Sequence, residues 1–243
     1  MSTNEKSAHF DTVNLHSDRS DKPEHGSLHK AVHTSIAFEY EDARDLAAVF
    51  QGKKNGYNYG RQQNPTVNAL QNRITRMEGG HSTVAFATGM AAIGSILFSL
   101  LRQGDHVIAS AFLFGNTNSL FNTFTNFGVE VSFVDATDCS AVKAALRPET
   151  RLVFVETIAN PVTQIADLQG IGTLCQQHNV IFVVDNTITT PWLFSPRTVG
   201  ATFIVNSLSK FFGGHGDALG GAVTDTGLYD WKDYPHLYDN YKT

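Results

Sequence analysis

Cysteine is nearly absent: Cys139 and Cys175 alone, in 243 residues, exclude a disulfide framework and a thiolate zinc site. No apolar run reaches the roughly 20 residues of a membrane-spanning helix. The leading segment also lacks the apolar core of a signal peptide. Basic residues (18) are fewer than acidic ones (23), and no basic stripe accompanies the net charge of −5. That balance argues against a nucleic-acid partner. Ten histidines are the one surplus that invites a metal. His16, His25, His29 and His33 lie in a polar leader without the spacing of a rigid site, so no metal is expected. What remains is the composition of a cytoplasmic protein, 42% hydrophobic and able to bury one sizeable α/β domain.

Short apolar runs alternate with helical patterns from Ser82 onward. Strands are expected at 83–87, 106–109, 130–134, 152–156, 182–184, 203–206 and 219–224, with helices such as 140–146 and 168–178 between them. Runs without an alternating polar face read as strands buried on both sides, so the pattern predicts a mostly parallel, doubly wound sheet. Ahead of it, Asn64 and Pro65 signal a helix start, with Leu70, Ile74 and Met77 on one face. Residues 1–33 are polar and expected to be mobile, or ordered only against another subunit. An N-terminal arm is assigned to 1–60 and a ligand-binding domain to 61–243.

Two of the runs end on chemistry. Ile181-Phe182-Val183-Val184 ends on Asp185, and the run 202–206 ends just before Ser207-Leu208-Ser209-Lys210. Ligands of open α/β sheets sit beyond the carboxyl ends of strands. A lysine is by default a solvated surface group, and an acid at a strand end often serves only as a cap. Together, however, a lysine behind two hydroxyls and an acid at the same sheet edge suit pyridoxal phosphate. The amine joins its aldehyde, the carboxylate keeps its ring nitrogen protonated, and the hydroxyls donate to its phosphate. The turn Thr88-Gly89-Met90 leads from a strand into an apolar helix, and first-turn amides suit an anion.

The motifs, in order, resemble the Cys/Met-metabolism (transsulfuration) family of PLP enzymes. They are Tyr59-Gly60-Arg61 with Asn64-Pro65-Thr66, Met77-Glu78-Gly79-Gly80, Ala87-Thr88-Gly89-Met90-Ala91-Ala92 and Glu156-Thr157-Ile158-Ala159-Asn160-Pro161. Asp185-Asn186-Thr187 and Ser207-Leu208-Ser209-Lys210 with Gly213-Gly214-His215-Gly216-Asp217 complete the set. The resemblance implies a fold-type-I transferase fold with Lys210 as cofactor-bearing and catalytic amine and Asp185 as partner of the ring nitrogen. It also implies amides of Gly89 and Met90, with Ser207 and Ser209, around the phosphate. Asn160 would bond the ring oxygen, and Thr187 would lie beside the ring. Tyr59 and Arg61 would reach the active site of a neighbouring subunit, which makes the working unit a dimer at least, and a homotetramer by resemblance.

Two departures stand out. Phe114 occupies a position where most of the family has tyrosine. Its ring can stack on the cofactor but cannot carry a proton. The chain also stops at Thr243, where the resemblance implies a continuation into a small C-terminal domain that grips the substrate carboxylate. The tail aromatics Tyr229, Trp231 and Tyr234 are therefore expected to need a surface outside this chain. The resemblance implies γ-replacement on an activated homoserine, as in a cystathionine γ-synthase. A γ-elimination lyase acting on cystathionine or methionine, and a non-catalytic truncated remnant, stand beside it.

Overall fold

The computed structural model describes residues 9–17 and 24–237, and the chain separates into two compact units, 1–76 and 77–243. The expected mobile leader lies partly outside the described residues. Within it, Phe10–His16 forms helix α1, which buries no residue. Helix α2 (Ala43–Phe50) starts at Asp42, whose carboxylate accepts from the Arg44 amide at 2.8 Å. Helix α3 (Pro65–Glu78) starts where the Asn-Pro pair indicates, with Asn64 Oδ1 accepting from the Thr66 amide at 2.8 Å. The periodicity-free stretch before it folds back on an earlier segment, Gly60 donating to the Ile36 carbonyl at 2.7 Å.

The second unit is built on seven strands: β1 (Ser82–Phe86), β2 (His106–Ser110), β3 (Glu130–Val134), β4 (Thr150–Glu156), β5 (Ile181–Asp185), β6 (Phe203–Ser207) and β7 (Gly221–Asp225). Their order is β1-β7-β6-β5-β4-β2-β3. Strands β2 to β6 pair in parallel, while β7 runs antiparallel to both β6 and β1. The exception has a physical cause. No helix lies between β6 and β7, and a parallel return requires a crossover the length of a strand, usually helical. Strand β7 also begins later than the apolar pattern suggests, and Leu219, outside it, is 81% exposed.

Helices α4 (Gly89–Leu100) and α5 (Gly115–Phe124) share one core with the sheet; α6 (Cys139–Ala145) and α7 (Leu168–His178) share the other. The two-residue period of the strands divides the cores. Leu152, Phe154, Ile181 and Val183 enter the first, while Val153, Val155, Phe182 and Val184 enter the second. Each fully buried aliphatic or aromatic side chain contributes roughly 1.5–3 kcal/mol, so the unbroken apolar runs are what a sheet covered on both faces demands.

The tail corrects an expectation. Its aromatics need no external surface, for they pack on the first core. Tyr234 is 2% exposed and donates to the Leu100 carbonyl at 2.6 Å, and the Trp231 and Phe203 rings lie 5.4 Å apart. The tail thereby covers an apolar margin of β6 and α4 that would otherwise face water.

Candidate active site

A cavity of about 340 Å³ opens beyond the carboxyl ends of β4, β5 and β6, against the N-terminus of α4. The sheet places Asp185 and Lys210 there together, as their positions after adjacent parallel strands require. Gly89, Met90, Phe114, Asn160, Thr187, Ser207 and Ser209 also line it. Tyr59 and Arg61 belong to the first unit, where the Arg61 guanidinium carbon lies 5.0 Å from the centre of the Tyr59 ring.

Hydrogen bonds lock the two strand ends to each other. Ser207 donates its amide to Thr187 Oγ1 at 2.8 Å, and the Thr187 amide donates to Asp185 Oδ1 at 2.9 Å. Past β6 the chain turns: Lys210 donates to the Ser207 carbonyl at 3.2 Å, and Gly214 to the Lys210 carbonyl at 2.7 Å. This turn sets Ser207 Oγ 3.0 Å from Ser209 Oγ.

Thr88 caps α4, its Oγ1 accepting from Ala91 at 3.0 Å. The amides of Gly89 and Met90 occupy the first turn, where no acceptor exists within the helix. The approach of that turn to β6 and β7 requires glycine. A Cβ on Gly89 would stand 2.9 Å from Ser207 Cβ, and one on Gly221 would stand 2.1 Å from the Thr88 carbonyl oxygen. Both obstacles are held in place, so neither can give cheaply. Gly221→Ala is expected to destabilise the protein by about 1–3 kcal/mol, the usual cost of overpacking, and to weaken anion binding at the turn. An unchanged thermal midpoint would show that the turn relaxes freely.

The electrostatics of the cavity centre on two carboxyls side by side. Glu156 and Asp185 are register partners across β4 and β5. Burial raises the Asp185 carboxyl above its ordinary range, with bonds from Thr187 pulling the other way. Burial likewise pushes Glu156 up to about 7; the nearby Asp185 charge adds to this, while the amides of Phe114 and Asn160 oppose it. A cationic group in the cavity would draw the negative charge onto the carboxylate it meets. Pyridoxal phosphate fits this donor set: a buried carboxyl for a ring cation, a lysine for an aldehyde, and amides with hydroxyls for a phosphate.

Glu156 is a cavity residue to which the sequence alone assigns no role. Its Oε1 accepts from the Phe114 amide at 2.7 Å and its Oε2 from the Asn160 amide at 3.1 Å. One side chain thus holds both the proposed stacking residue and the proposed ring-oxygen ligand. The signal was available, because Glu156 ends an apolar run just as Asp185 does. Among the described residues no helix is long and apolar enough to cross a membrane, and no group of three or more His, Cys, Asp and Glu side chains stands ready for a metal.

A family model described as Cys/Met metabolism PLP-dependent enzyme matches residues 11–241. Over 91% of its length the chain is 37% identical to an O-acetyl-L-homoserine sulfhydrylase of Corynebacterium glutamicum, covering 51% of that protein. It is 38% identical over 88% of its length to an L-methionine gamma-lyase of Pseudomonas putida, covering 54%. The chain thus spans about half the length of the curated relatives it matches. Among solved structures it is similar to a putative O-acetylhomoserine (thiol)-lyase of Campylobacter jejuni that carries N'-pyridoxyl-lysine-5'-monophosphate. The TM-score is 0.85 at 32% identity, covering 96% of this chain and 57% of that one.

Proposed function

This chain belongs to the Cys/Met-metabolism PLP-dependent enzyme family, and on that premise we propose that it serves γ-replacement on an activated homoserine. The observation that carries the reading is the convergence of Asp185, Ser207, Ser209, Lys210 and the first turn of α4 on one cavity. Pyridoxal phosphate, when bound, supplies an aldehyde that captures amines and a ring that accepts electron density from the substrate.

Each residue has a part in this reading. Lys210 Nζ tethers the cofactor and, once released, moves protons at the substrate's α- and β-carbons. Asp185 holds the proton on the ring nitrogen. The Gly89 and Met90 amides and the Ser207 and Ser209 hydroxyls hold the phosphate. Phe114 stacks on the ring, Thr187 lies beside it, and Asn160 bonds its oxygen. Phe114 carries no ionisable group, so no proton passes through it. Tyr59 and Arg61 serve the cavity of a neighbouring copy in a homo-oligomer of at least two chains, a tetramer by family resemblance. The proposed setting is the cytoplasm.

Replacement is preferred over elimination on the likeness to an O-acetyl-L-homoserine sulfhydrylase, and Ile158, Ile188, Leu219 and Phe114 give the cavity apolar surface for the carbon chain of a substrate. Purified protein with pyridoxal phosphate is expected to convert O-acetylhomoserine and a thiol, sulfide or cysteine, to the corresponding thioether or thiol and acetate. Chromatographic detection of that product supports the reading. Release of methanethiol, 2-oxobutanoate and ammonia from methionine, without the replacement product, would make the protein a γ-lyase instead.

A further inference from the structure

The motif Met77-Glu78-Gly79-Gly80 has no part in the chemistry above, yet Glu78 is only 1% exposed. Its Oε1 accepts from Asn206 Nδ2 at 2.7 Å and from Asn186 Nδ2 at 3.4 Å. Both asparagines are fully buried, and each adjoins a cavity residue: Asn186 follows Asp185, and Asn206 precedes Ser207. Two buried polar atoms here have no partner, Glu78 Oε2 and Asn206 Oδ1. They sit on the two sides of the same 2.7 Å hydrogen bond. With Glu78 ionised, both are acceptors and neither can satisfy the other. A carboxylic acid and a primary amide pair differently, through two hydrogen bonds in one ring. One proton on Oε2 therefore satisfies both atoms at once, where each orphan would otherwise be costly.

We propose that Glu78 is held as the neutral acid, donating from Oε2 to Asn206 Oδ1, and that this pair positions the carboxyl ends of β5 and β6. The arm through Asn186 extends the device. Asn186 Nδ2 donates to the Phe194 carbonyl at 3.0 Å, and its Oδ1 accepts from Thr189 Oγ1 at 2.5 Å. Thr189 Oγ1 in turn pairs with Thr157 Oγ1, just past β4, at 2.8 Å. Three strand ends are thus tied behind the cavity.

The charged groups nearby are otherwise engaged. Asp185 lines the cavity and accepts from Thr187, Lys210 lines the same cavity, and Arg197 directs its Nε to the Thr226 carbonyl. Burial pushes the Glu78 carboxyl up to about 7 against the pull of the two amide donors. A folded value above the unfolded one gives stability that is complete below the unfolded value and lost as pH rises through about 7.

The test is the thermal midpoint of the whole chain, without added cofactor, followed from about pH 5 to about pH 8 for wild type, Glu78→Gln and Glu78→Ala. Glutamine keeps both arms of the ring but does not titrate. The midpoint of Glu78→Gln is expected to gain a few degrees on wild type as pH rises. Glu156 titrates in the same range, but its contribution cancels in the difference. A constant difference, or a Glu78→Gln protein as damaged as Glu78→Ala at every pH, would overturn the neutral acid.

The positioning role rests on the cofactor reading and has its own measure. Wild-type affinity for pyridoxal phosphate should fall above about pH 7 more steeply than that of Glu78→Gln. Parallel profiles would overturn positioning, whereas no binding to wild type at any pH would overturn the cofactor reading instead.

Discussion

Lys210→Ala is expected to abolish the visible absorbance of lysine-bound pyridoxal phosphate and to leave nothing for borohydride to fix to the chain. On the proposed reading it removes an amine with two duties, tether and proton carrier. The loss of positioned proton transfer alone predicts a fall in turnover of about 10²- to 10⁴-fold. The substitution is clean because the turn is held by backbone groups. The Lys210 amide bonds the Ser207 carbonyl, and the Lys210 carbonyl receives the Gly214 amide. Alanine keeps both bonds, and the lysine side chain is exposed, so the thermal midpoint should barely move. Residual cofactor should still bind without a covalent bond, through the first turn of α4 and the two serines. Peptide mapping after reduction separates the outcomes: label on Lys210 in wild type and none in the variant supports the assignment. A label that survives in Lys210→Ala would move the tether to another lysine and dissolve the site as described.

The sequence pattern marked the strands because their burial on two faces leaves no freedom of composition. Leu152 to Val155 and Ile181 to Val184 must be apolar throughout when alternate residues enter different cores. Asp185 and Lys210 were legible for the same reason, since a polar group at the end of such a run lies at the sheet edge. Strand direction was less so. The reversal of β7 depends on the chain between Ser207 and Gly221 lacking a helix, and no property of the Gly221–Asp225 segment itself records it. Long-range polar pairing was hidden altogether. Glu78 meets Asn206 across 128 residues, and neither side chain announces its partner. The tail misled because exposed aromatics in a short segment resemble an unfilled contact, and only the placement of Phe203 and Leu100 shows that the chain supplies its own.

Asp185 sets two requirements against each other, and the second large effect follows from that conflict. Buried and raised above its ordinary range, its carboxyl is costly to ionise in the protein alone. Beside a ring cation the same ionised carboxylate becomes favourable. Asp185→Asn should therefore act with opposite sign in the two states. Without cofactor the variant should match or exceed wild type in thermal midpoint, increasingly so as pH rises, because a group with a raised folded value loses stability in that direction. The Thr187 amide, now bonded to Asp185 Oδ1 at 2.9 Å, can still donate to an asparagine oxygen. With cofactor the order should invert. Removing one partner of a desolvated charge pair costs about 2–5 kcal/mol, a rise in Kd of roughly thirtyfold to several thousandfold. Turnover should cease, since an unprotonated ring is a poor acceptor of electron density. Asp185→Ala should lose the same affinity and also the Thr187 bond, so it should not share the gain in midpoint. Thermal shifts with and without pyridoxal phosphate read both halves in one experiment. Equal affinity in wild type and Asp185→Asn would mean that another group faces the ring nitrogen, and Glu156, its register partner on β4, would be the next to replace. A site built to hold a charge that only its ligand can balance is less stable empty than its neutral variant, and that difference is the mark of a binding residue rather than a structural one.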